Sequence, residues 1–321
     1  MLDRASRLSL ETLSAIQDVA AKVLGVPVTS VEHVNGSGKN SRVYKLISTD
    51  NQVYLLKQYF MEGPRNIQRM VNDFTATSFM WEQGERSIPF PVALDSNQGC
   101  AVYEFVDGIQ LDADSVSFED IGQAVDFLTR LKEISRSGKA SVIGNASEGA
   151  LSIQGVMDNI RERFRNLNDL NSDHEDYSDL KLYLSNSVTP ALDAICSWSY
   201  SLALHNSISS EDNPGSFELT LSPSDFGFHN AVKLDNGKIK FFDFEHFGWD
   251  DPAKLICDFL LHPAMNLPPW TKQHFLYEML RNFDPLDTLK ARIKILYPLF
   301  GIKWSLIMLN EFTPESFARR E

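Results

Sequence analysis

The chain has 321 residues, enough for two lobes, and its hydrophobic share of 43% and charged share of 23% are typical of a globular protein. Its net charge of −13 argues against non-specific binding to nucleic acid, because phosphates would be repelled over most of the surface. The three cysteines lie far apart without a CxxC spacing, which argues against a disulfide framework and against a zinc site.

The apolar segments favour a cytoplasmic protein. The first residues, MLDRASRLSLETL, contain no continuous apolar stretch like that of a signal peptide. The longest apolar region, from Ile295 to Leu309, is broken by Pro298 and Lys303 and is too short to span a bilayer. We therefore expect a cytoplasmic chain with neither a membrane nor a nucleic-acid partner.

The first hundred residues predict one helix followed by a small sheet. Residues 8–24 have a helical apolar period, and the segments VEHV, SRVYKLIST and NQVYLLKQYF then alternate as strands do. A second helix is predicted at residues 66–82, and the segment FPVALDSNQGCAVYEFVDG predicts a hairpin. We expect residues 1–106 to form a small β-rich N-terminal lobe.

The rest of the chain predicts a mainly helical lobe, residues 107–321. One apolar face runs from Ile121 to Leu131 and another from Ile153 to Leu167, each with helical spacing. Further helices are predicted at residues 270–283 and 289–310. The expected fold class is therefore α+β.

The most informative segment is LSPSDFGFHNAVKLDNGKIKFFDFEHFGWDDP, residues 221–252. Asp225 and Asn230 lie on a predicted loop, and a short strand leads to Asp243. The DNGK turn joins two strands, which places these side-chain oxygens near one another. Hard oxygen ligands suit Mg²⁺ and phosphoryl transfer. The alternative is a hairpin whose Asp and Asn side chains only cap turns.

This segment resembles the catalytic region of the aminoglycoside phosphotransferase and choline kinase-like small-molecule kinases, distant relatives of protein kinases. The resemblance implies a two-lobed kinase-like fold, with ATP and Mg²⁺ bound between the lobes. It implies that Asp225 is the catalytic base, and that Asn230 and Asp243 are the magnesium ligands. It covers most of the chain, from about Val34 to Trp304.

Two positions depart from the family pattern. Pro223 stands where the family usually has a loop histidine, which concerns the geometry of the loop more than its chemistry. Leu255 replaces an acidic residue that often follows the Gly-Asp-Pro element, and Asp258 is a nearby substitute.

A glycine loop, NGSGKN, precedes the second predicted strand within the segment VNGSGKNSRVYKL. It is not a Walker A loop, because His33 replaces the first glycine and Asn40 replaces the required Ser or Thr. The resemblance implies that backbone around Gly36 and Gly38 covers the ATP phosphates. Alone, such a hairpin is more often an ordinary turn.

Lys57 lies among apolar residues of the strand VYLLKQYF, where a buried ammonium is costly without partners. The resemblance implies that it contacts ATP phosphates and pairs with an acidic residue of the next helix. Asp73 is the favoured partner, and Glu82 is the alternative. A lysine that simply faces solvent is the other interpretation.

The segment VYEFVDGIQL resembles the connector between the lobes of this family. The resemblance implies that backbone groups from Glu104 to Val106 bind adenine. An edge strand that ends in an Asp-Gly turn predicts the same residues.

The implied function is Mg-ATP-dependent transfer of the γ-phosphate to a hydroxyl of a small molecule, such as a sugar, amino sugar, amino alcohol or aminoglycoside. The alternatives are a pseudokinase scaffold, or a protein kinase or nucleotidyl transferase on the same fold. The presence of Lys57, Asp225, Asn230 and Asp243 together argues against a scaffold. Asp251 follows Asp243 so closely that little room is left for a peptide-docking segment.

Overall fold

The computed structural model describes residues 10–34, 40–61, 63–147, 149, 151–170, 176–211, 219–283 and 288–313. Two compact units divide the chain: unit 1 comprises residues 1–111 and 228–247, and unit 2 comprises residues 112–227 and 248–321. The functional lobe boundary after residue 106 stays a prediction. Unit 1 contains two separate stretches of chain.

The elements follow one another in the order that the periodicity indicates, with additional helices in unit 2. The strands are β1 (Val28–Val34), β2 (Ser41–Ser48), β3 (Val53–Tyr59), β4 (Pro91–Asp95), β5 (Cys100–Glu104), β6 (Ile109–Gln110), β7 (Thr220–Ser222), β8 (Ala231–Lys233), β9 (Ile239–Phe241) and β10 (Gly248–Asp250). The helices are α1 (Leu10–Leu24), α2 (Pro64–Glu82), α3 (Phe118–Ser135), α4 (Ile153–Asn168), α5 (Asp176–Tyr183), α6 (Thr189–His205), α7 (Pro252–Leu261), α8 (Pro269–Phe283) and α9 (Thr288–Met308).

Unit 1 is built on a five-stranded sheet in the order β1-β2-β3-β5-β4, with every neighbouring pair antiparallel. Side chains of a strand alternate between its faces, so each face has its own core. On one face α1 packs on Leu46, Leu56 and Val102. On the other, Met70 of α2 packs with Tyr59. Lys57 has the same parity as Tyr59 and therefore faces α2.

A smaller sheet in unit 1 has the order β6-β8-β9. Its β8–β9 hairpin turns at Gly237, whose φ of 80° is readily adopted by glycine. The hairpin is attached to the first stretch of unit 1, because the Phe241 amide donates to the Ser87 carbonyl over 2.7 Å. The Lys240 ammonium donates to the Ile88 carbonyl over 2.9 Å. Residues more than a hundred positions apart therefore complete one unit.

Unit 2 is mainly helical, with β7 and β10 paired antiparallel. Its helix α9 packs against α4, α6 and α7. Helix α3 begins with a capping box between Ser117 and Asp120, and α7 begins with Asp251 as the N-cap before Pro252. The sheet-rich unit 1 and the helical unit 2 confirm the predicted α+β class.

Helix α9 corrects one expectation. The segment Thr288–Phe312 has 25 residues and contains an 18-residue window with a mean hydropathy of 1.2, so by length and composition it could cross a membrane. The sequence interpretation judged membrane spanning from the apolar run alone, although the helix it predicted over residues 289–310 is longer than that run. A single helix of this kind is weak evidence, because core helices pass the same test, and this one carries the buried Arg292 and Lys303. The cellular location stays a prediction.

Candidate functional site

The Lys57 side chain is buried in unit 1 and lies between two carboxylates. Its Nζ is 2.8 Å from Asp73 Oδ2 and 2.7 Å from Asp243 Oδ1. Of the two acidic candidates on α2, Asp73 is therefore the one that contacts Lys57, and Glu82 lies in the last turn of that helix. Lys57 does not simply face solvent.

Asp73 connects three parts of unit 1. Its Oδ2 also accepts a hydrogen bond from the Tyr59 hydroxyl, and its Oδ1 accepts one from the Phe244 amide over 2.8 Å. The carboxylate thus joins β3, α2 and the segment after β9. The distance of 2.8 Å shows that the short aspartate side chain reaches Lys57.

The electrostatics of this cluster keep Lys57 charged. Burial alone would lower the pKa of Lys57, but the carboxylates of Asp243 and Asp73 raise it well above its usual value. Burial, followed by the charge of Asp73, raises the pKa of Tyr59 in the same way. At neutral pH Lys57 is therefore an ammonium and Tyr59 a protonated phenol.

Asn230 and Asp243 are brought together by the β8–β9 hairpin, because the Phe242 amide donates to the Asn230 carbonyl over 3.0 Å. Asp243 has a φ of 68°, a left-handed conformation that is uncommon outside glycine. Such backbone often occurs where a side chain is held for function. The carboxylate of Asp243 and the amide oxygen of Asn230 are hard donors, so these residues fit Mg²⁺.

Glu245 and Asn72 hold the segment that follows Asp243, and sequence reasoning missed both roles. The buried Glu245 carboxylate accepts a hydrogen bond from the Asn40 amide over 2.8 Å and lies 3.7 Å from the Arg69 guanidinium. Burial would raise the pKa of Glu245, but His246, Lys57 and Arg69 lower it below its usual value. Asn72 donates to the carbonyls of Glu245 and Phe247. In the sequence, the position of Asn72 next to Asp73 could have indicated that Asn72 also contacts the site.

The glycine loop and the connector are the two other segments predicted to contact the nucleotide. Gly36 and Gly38 lie outside the described residues. In the connector, the Glu104 amide donates to the Phe90 carbonyl over 2.8 Å, so this amide is used within unit 1. Val106 lies just beyond the end of β5. Adenine binding by Glu104 and Val106 stays a prediction.

Asp225 belongs to unit 2 and lies in the loop after β7. Its neighbour Ser224 has a φ of 67°, a second left-handed residue beside a predicted catalytic group. The Asp225 carboxylate is partly exposed, and its Oδ1 lies 3.0 Å from His262 Nε2. His262 was not among the predicted site residues.

A buried lysine supports the loop that carries Asp225. Lys254 Nζ donates to Ser224 Oγ over 2.8 Å, and it lies 2.7 Å from Asp250 Oδ2 and 3.0 Å from Asp258 Oδ2. Burial would lower the pKa of Lys254, but Asp250 and Asp258 raise it above its usual value. Lys254 thus holds the loop that contains Pro223 and Asp225.

No protein-family model matches the chain, and no curated protein matches it by sequence. Comparison with solved structures gives a clear class: the chain has the protein kinase-like fold of small-molecule phosphotransferases, a small antiparallel sheet region with a larger helical part. The fold implied by the sequence resemblance is confirmed.

Three solved structures illustrate the likeness. A spectinomycin phosphotransferase in complex with ADP and spectinomycin has a TM-score of 0.66 at 14% identity, covering 93% of this chain and 87% of its own. An ADP-bound aminoglycoside phosphotransferase has a TM-score of 0.62 at 15% identity, covering 97% and 95%. The choline kinase of Streptococcus pneumoniae has a TM-score of 0.59 at 13% identity, covering 94% and 92%. At such identities the likeness shows a shared fold.

Proposed function

We propose that this protein is a Mg-ATP-dependent phosphotransferase whose acceptor is a hydroxyl of a small molecule. The observation that carries the proposal is the Lys57 centre, in which a buried ammonium lies within hydrogen-bond distance of both Asp73 and Asp243. A purely structural ion cluster would bury both of its carboxylates together with the lysine. The second one, Asp243, is partly exposed and stands in a left-handed conformation.

The residues of unit 1 have separate roles in the binding of Mg-ATP. Asp73 orients Lys57, whose ammonium neutralises charge on the phosphates of ATP. Asp243 and Asn230 supply oxygen ligands to Mg²⁺, and Asn72 and Glu245 hold the segment that carries Asp243. Mg-ATP, when bound, supplies the γ-phosphoryl group and an electrophilic phosphorus with neutralised charge.

Asp225 acts as the general base of the proposed reaction. Its side chain is 40% exposed, so an acceptor hydroxyl can reach it. As the oxygen of the acceptor bonds to the γ-phosphorus and the bond to ADP breaks, Asp225 takes the hydroxyl proton.

The acceptor class is a sugar, amino sugar, amino alcohol or aminoglycoside. The similar structures include a spectinomycin phosphotransferase and a choline kinase. A scaffold would have no need to hold Asp243 beside a charged Lys57. A protein kinase is disfavoured because β10 begins at Gly248, five residues after Asp243, and leaves no long segment for peptide docking.

The first test is a screen for ATP consumption over a panel of choline, ethanolamine, spectinomycin, further aminoglycosides and simple sugars. A true acceptor should stimulate ADP release and raise the melting temperature in a concentration-dependent way. The Asp225→Asn protein should lose about 10²–10⁴-fold in turnover while its affinity for ATP stays nearly unchanged. Retention of most activity would remove Asp225 from the role of base.

The metal assignment is tested separately with Asp243. Asp243→Asn tolerates the left-handed backbone but removes the charge, so it should fold and lose the Mg²⁺ dependence of ATP binding. Titration calorimetry with ATP, with and without Mg²⁺, measures this. The matched control is Asp235→Asn in the turn of the same hairpin, which should bind Mg-ATP like wild type. An unaltered Mg²⁺ dependence in Asp243→Asn would exclude Asp243 as a ligand.

A further inference from the structure

His262 stands immediately after α7, and its imidazole meets the carboxylate of Asp225. The two atoms in contact, Nε2 and Oδ1, are 3.0 Å apart. The His262 side chain is only 9% exposed, whereas that of Asp225 is 40% exposed. The histidine is therefore the buried partner and the aspartate the accessible one.

The hydrogen bonds of His262 define which ring nitrogen carries the proton. The Ala264 amide donates to His262 Nδ1 over 3.2 Å, so Nδ1 must present a lone pair. The proton of the neutral ring is then on Nε2, from where it is donated to Asp225 Oδ1. The backbone after α7 thus makes His262 a donor to the carboxylate.

The ring of His262 is also held in place by Trp304 of α9. Their rings meet edge-on, with centroids 4.5 Å apart and an interplanar angle of 67°. The Trp304 indole N–H donates to Asp258 Oδ1 over 3.0 Å, and Asp258 pairs with Lys254. Asp258 and Lys254 are therefore the charged groups connected to His262 through Trp304.

Two supports from unit 2 converge on consecutive residues of one loop. Lys254 donates a hydrogen bond to the hydroxyl of Ser224, and His262 donates one to the carboxylate of Asp225. The residue before them, Pro223, has no side-chain donor with which to fasten the loop. The supports come instead from α7 and from the residue that follows it.

We infer that His262 is a positioning residue for Asp225, an inference that rests on the proposed function of Asp225 as the base. The hydrogen bond from His262 to Oδ1 fixes the rotation of the Asp225 carboxylate. Oδ2 is then the oxygen that accepts the proton of the acceptor hydroxyl. His262 keeps its Nε2 proton throughout. Its donated hydrogen bond stabilises the ionised carboxylate, which is the form that a base requires.

Kinetics of three variants test the inference with the acceptor that the panel screen identifies. His262→Leu should lower kcat by about 10²-fold, the usual effect of a misplaced catalytic group, with an unchanged KM for ATP. Loss of the donor should also raise the pKa of Asp225, so the acid limb of the kcat profile should move to higher pH. His262→Gln retains an amide donor and should recover much of kcat. The control, His205→Leu at the exposed end of α6, should match wild type.

The inference is overturned if His262→Leu retains the kcat and the acid limb of wild type, or if His262→Gln is as impaired as His262→Leu. A wild-type protein that turns over no acceptor, or an Asp225→Asn protein with full turnover, would instead refute the proposed function.

A spectroscopic measurement tests the contact without any turnover. Proton–nitrogen correlation spectra of ring-labelled histidine should show seven residues, and His262→Gln identifies the signal of His262. That signal should belong to the neutral Nε2–H tautomer, with a slowly exchanging proton. The proton should exchange quickly in Asp225→Ala and remain protected in the control Asp126→Ala, an exposed position on α3. An Nδ1–H tautomer, or indifference to Asp225→Ala, would rule out the contact.

Discussion

The two units each bury a lysine between two aspartates, and the two centres differ in one respect. In unit 2 the side chains of Lys254, Asp250 and Asp258 are 1%, 0% and 6% exposed. In unit 1 the side chains of Lys57 and Asp73 are 11% and 4% exposed, but that of Asp243 is 35% exposed. The same charge arrangement is thus closed in one unit and open on one side in the other.

The difference separates a closed structural ion cluster from a centre with one accessible carboxylate, as the proposed function requires. In the closed centre all three charged side chains are buried, so the cluster only holds the loop of Ser224 and the start of α7. In the open centre Asp243 remains partly hydrated and can exchange water for a metal ion. Substitutions of the two lysines should therefore have different consequences.

The largest effect on stability is expected for Lys254→Met. Removing this ammonium leaves Asp250 and Asp258 buried without their cation, which costs about 3–5 kcal/mol. Urea denaturation followed by circular dichroism measures the loss, and Lys294→Met on the exposed side of α9 serves as the control, with a change within about 0.5 kcal/mol. A fall of less than 1 kcal/mol for Lys254→Met would contradict a closed cluster.

A smaller loss of stability but a large loss of activity is expected for Lys57→Met. Asp73 keeps the Tyr59 hydroxyl and the Phe244 amide, and Asp243 can be hydrated, so the cost in stability is about 1–3 kcal/mol. Turnover should fall by at least about 10²-fold, because a preorganised positive charge on the phosphates is lost. The control is Lys22→Met at the exposed end of α1.

The coupling between Lys57 and Asp73 sharpens this prediction. The activity losses of Lys57→Met and Asp73→Ala should be much less than additive in the double variant, since both substitutions break one pair. Additive losses would mean that the pair does not act as a unit.

The smallest effect concerns alkaline pH. The ordinary pKa of a lysine is 10.5, and that of Lys57 in the folded protein is well above it. The stability that this difference contributes is complete below pH 10.5 and is lost as the pH rises toward the folded pKa. Tyr59, with an ordinary pKa of 10.0, acts in the same direction because it keeps its proton only in the folded state.

The free energy of unfolding should therefore stay level near neutral pH and decline above about pH 10. In Lys57→Met the alkaline decline should be less steep by about 1.4 kcal/mol per pH unit. Urea titrations of both proteins between pH 7 and 11 measure the difference. Identical slopes would contradict the raised pKa of Lys57.

The sequence predicted the open centre better than the closed one. Strand alternation places Lys57 on the face of Tyr59, and the family resemblance implied an acidic partner on the next helix, which narrowed that partner to Asp73 or Glu82. The DNGK turn likewise brings Asn230 near Asp243. Here local geometry determined the neighbours.

The supports of Asp225 could not be derived from the sequence. Helix α7 is buried on nearly every side, so it shows no amphipathic stripe that would reveal which residues face Ser224 or Asp225. Lys254 and His262 contact residues more than thirty positions away, and such pairings are decided by tertiary packing. The roles of Asp225, Asn230 and Asp243 in catalysis stay predictions.

The divided chain of unit 1 also determines the order in which its parts can assemble during synthesis. The β8–β9 hairpin and Asp243 leave the ribosome roughly 7–27 s after Leu111, at about 5–20 residues per second. During that interval Lys57 and Asp73 can pair, but β6 has no partner strand and Asp73 Oδ1 has no Phe244 amide. A nascent chain that ends before residue 230 therefore contains Lys57 and Asp73 without Asn230 or Asp243. The complete Lys57 centre arrives late in translation.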